Sequence, residues 1–308
     1  MRFYGGNEGR KECISFSGAT WLVKYPSQLF SYTTAPVSEY VGSHVYEMIG
    51  IPVHQTLLGL RNGKLVVACQ DFTDDLAKGE AFYDFHDVKN NTAGLDVLPD
   101  GSASSGNSTY LSDVLKQVYE APFVSAVPGV RERFWDMFVV DAVIGNSDRN
   151  NTNWGFIFDT ERNTARLAPV FDNGNCLFNK RSADADLDAL SDESAMRSLA
   201  LDAPVSIYLR DDGKRIHPFS YIRTSHDIDC LAAVDRFVSA FSLDRFEDLL
   251  SSLPDETRGS VVMPQEKREF LSRIVRIRVE EGLRPFAGWS HDVPELDGTS
   301  YRRDEDAR

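Results

Sequence analysis

The stretch from Val143 to Asn173, VIGNSDRNNTNWGFIFDTERNTARLAPVFDN, constrains this chain more than any other. An apolar run, Phe134 to Ile144, ends in a polar knot, Gly145-Asn-Ser-Asp-Arg-Asn-Asn-Thr-Asn153. A strand-like segment follows at Gly155 to Phe158, then a turn at Arg162-Asn163. A second strand is expected over Arg166 to Phe171, running into Asp172-Asn173-Gly174. Asp148 and Asn153 lie five positions apart, and Asp172 lies 19 positions beyond Asn153, at the far end of the expected hairpin. That pattern suits phosphoryl transfer. Asp148 would orient the attacking hydroxyl, while Asn153 and Asp172 would hold Mg²⁺ on nucleotide phosphates. Oxygen ligands suit this hard cation, and phosphates and waters complete its octahedron. Taken singly, each residue has a plainer role, because Asp and Asn cap backbone groups in turns. The joint spacing, the hairpin and the closing Asp-Asn-Gly favour the chemical reading.

That reading requires a phosphate loop, a lysine and a carboxylate earlier in the chain. Residues 3–24 read as a short strand, a glycine-rich turn, a strand over Glu12 to Phe16, a turn at Ser17-Gly18-Ala19 and a strand over Thr20 to Val23. Gly5, Gly6 and Gly9 would let backbone amides approach phosphates, with Lys11 adding charge. Hairpin turns use glycine equally well for positive φ. Lys24 ends an apolar strand, where burying an ammonium is costly without an anionic partner. Residues 36–49 read as a helix opened by Pro36 and Ser38 and closed by Gly50. Glu39 lies in its first turn, as a helix-dipole carboxylate or as the partner of Lys24. Gln55 to Leu60 and Lys64 to Ala68 form a hairpin about Arg61-Asn62-Gly63. The hairpin runs into Cys69-Gln70-Asp71-Phe72, where the adenine of a nucleotide would pass.

Residues 73–112 are polar and read as a surface loop, with a Gly/Ser/Asn-rich piece at 100–109. Helices are expected at Tyr110 to Glu120 and Val130 to Ile144, the second a core helix that delivers the polar knot. Residues 175–222 read as irregular, in the place of an activation segment. Two amphipathic helices follow, Ile228 to Leu253 and Pro264 to Leu283, before a polar tail from Ser290.

The chain resembles the HipA-like serine/threonine kinases, and within them the short CtkA-type members that lack the N-terminal extension of full-length HipA. The resemblance rests on WLVKYP, VSEYVGSHVYEMIGIPV, VVACQDF, GNSDRNNTNWGF and LAPVFDNG, and it spans roughly residues 3–180. Many members carry a histidine after the aspartate; Asn150 or Asn151 stands there in this chain. The resemblance implies an α+β, two-lobed, protein-kinase-like fold, with a small antiparallel β lobe carrying one helix and a larger, mainly helical lobe. The expected divisions are residues 1–72, 73–289 and 290–308. It implies ATP and Mg²⁺, with Asp148 as the catalytic aspartate and Asn153 and Asp172 as metal ligands. Lys24 would bind the α- and β-phosphates with Glu39 as its partner. Gly5, Gly6, Gly9 and Lys11 would lie over the phosphates, and Gln70 and Phe72 beside the adenine.

The expected activity is transfer of the γ-phosphoryl of ATP to a protein serine or threonine, with autophosphorylation. Two other readings stay open: a small-molecule or lipid kinase on a related fold, and a nucleotide-binding pseudokinase acting as an interaction module. The joint presence of Lys24, Asp148, Asn153 and Asp172 speaks against the pseudokinase. Kinship with HipA implies a toxin with a small antitoxin partner; a host-directed effector fits the CtkA-type layout equally. Net charge is −14, which argues against direct nucleic-acid binding. No apolar run approaches the roughly 20 residues of a membrane span. The four scattered cysteines form no C-x-x-C pair, so reduced thiols and a cytoplasmic location are expected.

Overall fold

Two tight turns organise the first sheet. Ser17-Gly18 joins β1 (Lys11–Phe16) to β2 (Ala19–Lys24), and Asn62-Gly63 joins β3 (Thr56–Arg61) to β4 (Lys64–Gln70). All four turn residues have positive φ, the backbone that matches the right-handed twist of a two-residue hairpin. β2 pairs with β4, so the order is β1-β2-β4-β3, antiparallel throughout. The computed structural model describes residues 10–27, 33–92 and 108–289; Gly5, Gly6, Gly9, most of the Ser-rich piece and the tail from Ser290 lie outside them.

α1 (Ala35–Met48) packs on this sheet, with Pro36 in its first turn, where a missing N–H costs nothing. Val37, Val41 and Val45 recur at four-residue spacing and are buried together with Tyr46. They belong to the same hydrophobic core as the large helices that follow, whereas Val23, Tyr25 and Val66 form a small cluster of their own. The helix therefore ties the sheet to the rest of the molecule.

After a 3₁₀ turn at Phe72–Asp75, β5 (Glu80–Asp84) and α2 (Phe85–Thr92) occupy a segment whose polarity reads as loop. β5 is held by pairing with a later strand and by its Phe82 and Tyr83 rings, which pack on Phe72, Phe171 and Phe158. α3 (Leu111–Glu120) and the short α4 (Pro122–Ser125) lead to α5 (Val130–Ile144), bounded by Gly129 and Gly145, both left-handed. Phe134, Trp135, Phe138, Val139 and Val140 are all buried, as expected of a core helix, while the charged first turn, Arg131 and Glu132, is exposed.

β6 (Gly155–Asp159) and β7 (Thr164–Leu167) form the hairpin, and β5 adds to its open side in the order β5-β6-β7. A Cβ on Gly155 would lie 2.2 Å from the Tyr83 carbonyl oxygen, so glycine is what lets β5 cross there. β7 ends at Leu167, earlier than its apolar pattern implies. Beyond it, Val170 leaves the sheet and bridges to Val53: His54 N–H donates to the Val170 carbonyl at 3.0 Å, and Val170 N–H to the Pro52 carbonyl at 2.8 Å.

The stretch expected to be irregular holds α6 (Ala183–Leu190), α7 (Glu193–Leu201) and α8 (Pro218–Thr224). Ser182 and Asp192 cap α6 and α7 through their side chains, and the acidic run supplies the first-turn carboxylates that helix N-termini favour. The expected helix from Ile228 to Leu253 is two, α9 (Ile228–Ala240) and α10 (Leu243–Ser252), because Phe241 is extended and Ser242 caps the second. A small hairpin, β8 (Glu256–Thr257) with β9 (Ser260–Val261), precedes α11 (Gln265–Ile277), which continues as a π turn to Leu283. No helix among the described residues is long and apolar enough to cross a membrane.

Candidate active site

Lys24 is the last residue of β2, and strand alternation sends its side chain to the face opposite Val23. There its Nζ lies 2.7 Å from Glu39 Oε2 and 2.7 Å from Asp172 Oδ1. The cluster grades from closed to open: side-chain exposure is 1% at Glu39, 18% at Lys24 and 41% at Asp172. Asp172 sits at φ +58°, a left-handed conformation that Asp tolerates better than most residues.

Burial alone would push the Lys24 ammonium down, but the Asp172 and Glu39 carboxylates together hold it well above its ordinary range. Burial likewise works to raise Glu39, and the charge of Lys24 with the His54 hydrogen bond overcomes it and holds the carboxyl low. Lys24 also lowers Asp172. A carboxyl lowered on folding contributes stability that is complete above its unfolded value, 4.5 for Glu39, and lost as pH falls below it. The stability difference between the wild type and Glu39→Gln, read from urea midpoints, is therefore expected to stay constant from neutral pH to about pH 5 and to shrink in more acid solution.

His54 is a residue the sequence reading passed over. Its Nε2 donates to Glu39 Oε1 at 3.0 Å and lies 3.3 Å from Ser43 Oγ. The backbone N–H of Asn173 also donates to Glu39 Oε1, at 2.9 Å, and Asn173 Nδ2 donates to Ser43 Oγ at 3.0 Å. The buried carboxylate is thus held from α1, from the His54 connection and from the loop carrying Asp172.

Asp148 and Asn153 are joined within the polar knot, where Asn153 Nδ2 donates to the Asp148 carbonyl at 2.7 Å. The Asp148 N–H donates to Asn146 Oδ1 at 3.0 Å, and its own Oδ1 accepts from Asn150 Nδ2 at 3.1 Å. Asp148 is half-buried and Asn153 buried. What ties the knot to Asp172 is Arg149, also missed. Its Nε donates to Asp141 Oδ2 at 3.0 Å and its Nη2 to Asp141 Oδ1 at 3.2 Å, a two-point pair inside the protein. Its Nη1 donates to the carbonyls of Asn153, at 3.0 Å, and of Phe171, at 2.6 Å, and Nη2 reaches Asn173 Oδ1. One guanidinium therefore grips the backbone of Asn153 and both neighbours of Asp172. Asp141, on α5, also accepts from Tyr46 of α1 at 2.8 Å and from Asn146 at 3.0 Å. Burial would lower Arg149, but Asp141 keeps it charged.

Gln70 closes β4, and Phe72 opens the 3₁₀ turn after it. The Phe72 ring packs 5.2 Å from Phe82 and 5.9 Å from Phe171, the residue before Asp172. An aromatic floor thus runs from the β4 exit to the Asp172 loop. Lys11 stands opposite Lys24 in the β1–β2 register, so both side chains leave the sheet on one face, and its charge reaches Asp172.

No family model matches the chain. It is 32% identical over 257 residues to the serine/threonine-protein kinase CtkA of Helicobacter pylori, covering 82% of this chain and 75% of that protein. The crystal structure of the H. pylori proinflammatory kinase CtkA superposes with a TM-score of 0.81 at 28% identity, over 95% of both chains. HipA of Shewanella oneidensis, solved with HipB and its operator DNA, matches at a TM-score of 0.59 and 9% identity, over 96% of this chain and 68% of that one. That second likeness is one of fold. The first is one of sequence along most of both proteins, and by it the chain belongs to the CtkA family and is a serine/threonine protein kinase of HipA-like fold.

Proposed function

We propose that this kinase moves the γ-phosphoryl of ATP to a serine or threonine hydroxyl of a protein, itself included, with each part of the cleft in a distinct role. The single observation that carries the assignment is the Lys24–Glu39–Asp172 cluster, in which one ammonium meets two carboxylates at 2.7 Å. Glu39, fixed by His54 and Asn173, holds Lys24 where a strand lysine meets the α- and β-phosphates. Asp148 accepts the hydrogen bond of the acceptor hydroxyl and orients it. Asn153 and Asp172 offer an amide oxygen and a carboxylate, a donor set of the hard kind that Mg²⁺ takes, and Arg149 fixes the backbone on which both stand. Bound Mg²⁺ neutralises charge on the phosphate oxygens. Gln70 and Phe72 line the adenine side and Lys11 the phosphate side, a role the family resemblance also gives to Gly5, Gly6 and Gly9. The two lobes divide at about residue 72, with α1 as the element they share. A small protein partner of the antitoxin kind is proposed from the fold relation to HipA alone.

The test is incubation of the purified chain with γ-labelled ATP and Mg²⁺, alone and with a cell lysate. Label on the chain or on a lysate protein is the expected result; ATP consumed without labelled protein would move the assignment to a small-molecule acceptor. Asp172→Asn is expected to lower transfer at least about 100-fold at fixed Mg²⁺ and to raise the Mg²⁺ concentration needed. Full activity in that variant at low Mg²⁺ would refute the ligand assignment.

A further inference from the structure

Around the Lys24–Glu39 pair lies a group of side chains, two of which lysine positioning does not account for. Glu39, His54 and Cys69 are all buried, and their carboxylate oxygen, imidazole nitrogen and thiol sulfur lie within 4.8 Å of one another. Thr56 pairs directly with Cys69 across β3 and β4, so both side chains leave the sheet on the same face. The Thr56 hydroxyl is buried and has no hydrogen-bond partner among the described residues. Holding Lys24 needs Glu39, and holding Glu39 employs His54 and Asn173. Cys69 and Thr56 are left over.

We propose that this group is a binding site for a borderline-soft divalent cation of the zinc type, held by Glu39, His54 and Cys69 with Thr56 beside the open position, and that the ion inhibits the kinase. Binding at the site stands on the geometry alone; inhibition rests on the role given above to the Lys24–Glu39 pair. Nitrogen, sulfur and carboxylate oxygen are the ligands zinc takes, at about 2.0–2.3 Å, so its tetrahedron sets them roughly 3.3–3.7 Å apart. The three atoms already come within 4.8 Å of one another, and His54 Nε2 and Glu39 Oε1 are 3.0 Å apart. Small side-chain rotations close the set. Thiolate and imidazole also discriminate against Mg²⁺, so this site and the Asn153–Asp172 pair select different ions.

The exchange balances simply. The Cys69 thiol releases its proton to solvent and the thiolate bonds to the metal. The His54 imidazole carries its proton on Nδ1 instead of Nε2, and the Nε2 lone pair bonds to the ion. Glu39 Oε1 turns from that N–H to the cation. One proton leaves per ion bound. The carboxylate then faces a divalent charge in competition with Lys24, which loses its anchor.

Co²⁺ is the probe, because a cobalt–thiolate bond absorbs in the near ultraviolet whether or not the enzyme turns over. The full chain, in saturating Mg²⁺, is titrated with Co²⁺. The expected result is a sulfur-to-cobalt charge-transfer band that saturates at one equivalent, persists in Cys13→Ser and is absent from Cys69→Ser. His54→Asn, which keeps the thiol, is expected to weaken cobalt binding about 10–100-fold, and it decides the matter if Cys69→Ser does not fold. No band, or a band unchanged in Cys69→Ser or with unchanged affinity in His54→Asn, overturns the site. In parallel, the ratio of transfer rates with and without Zn²⁺ is expected to fall at least about tenfold in the wild type and to stay near unity in Cys69→Ser. A band at this site with undiminished transfer would keep the metal site and overturn both the inhibition and the anchoring role of Glu39.

Discussion

Asp148→Asn is expected to lower the rate of phosphoryl transfer about 10²–10⁴-fold while leaving ATP binding intact. The substitution keeps the shape of the side chain and removes the charge that orients the acceptor hydroxyl. Three contacts around Asp148 survive the change. The contact to Asn153 uses the Asp148 carbonyl and the contact to Asn146 uses its N–H, both untouched by the change. The Asn150 amide still meets an oxygen acceptor once the new amide turns that way. Asp148 is absent from the Lys24–Glu39–Asp172 cluster, so the groups assigned to the phosphates keep their partners. Single-turnover transfer and ATP affinity, measured side by side, separate the two effects. A fall of less than tenfold would place the orienting group elsewhere.

Arg149→Met is expected to destabilise the protein by about 3–5 kcal/mol, because it leaves the Asp141 carboxylate buried and uncompensated. The loss is larger than for a surface ion pair because both partners are under one-tenth exposed. The same change frees the carbonyls of Asn153 and Phe171 and the side chain of Asn173. Transfer should therefore fall even at temperatures where the variant is folded. Denaturant midpoints measure the first effect. Asp141→Asn in the same background should recover part of the stability, since it removes the stranded charge. It should not recover activity, because the grip on the Asp172 loop is still gone. Full recovery of both would show that the guanidinium serves only Asp141.

The contrast between these two residues shows what the sequence carried and what it hid. Asp148, Asn153 and Asp172 were legible because their spacing reflects a hairpin that closes locally. Lys24 and Glu39 were legible because a strand end and a helix start are local signals, and their contact followed from the chemistry each would need. Arg149 stood in the same polar knot unread. Its partners, Asp141, Phe171 and Asn173, come from α5 and the far side of the hairpin, and no periodicity announces them. His54 was hidden in the same way, since its partner Glu39 lies 15 residues back across a helix.

In the fold, the elements read correctly were those with an apolar face or a turn of their own: the two hairpins with Gly18 and Gly63, α1 and α5. Those missed were stabilised from outside. β5 lies within a segment that is polar overall, and β6 and Gly155 receive it. α6 was hidden by the acidity of Asp184, Asp186 and Asp188, yet Asp184 and Asp186 stand in its first turn, and Asp186 is buried against Lys267 and Arg181. The break at Phe241-Ser242 had a readable cue, since serine is a strong N-cap.

The backbone bridge between Val53 and Val170 ties the segment before β3 to the segment that leads into Asp172. Val53 adjoins His54 and Val170 stands two residues before Asp172, so the folded backbone itself sets the register of the groups around Glu39. The entropy of assembling them is spent once, when the chain folds, and not at each turnover.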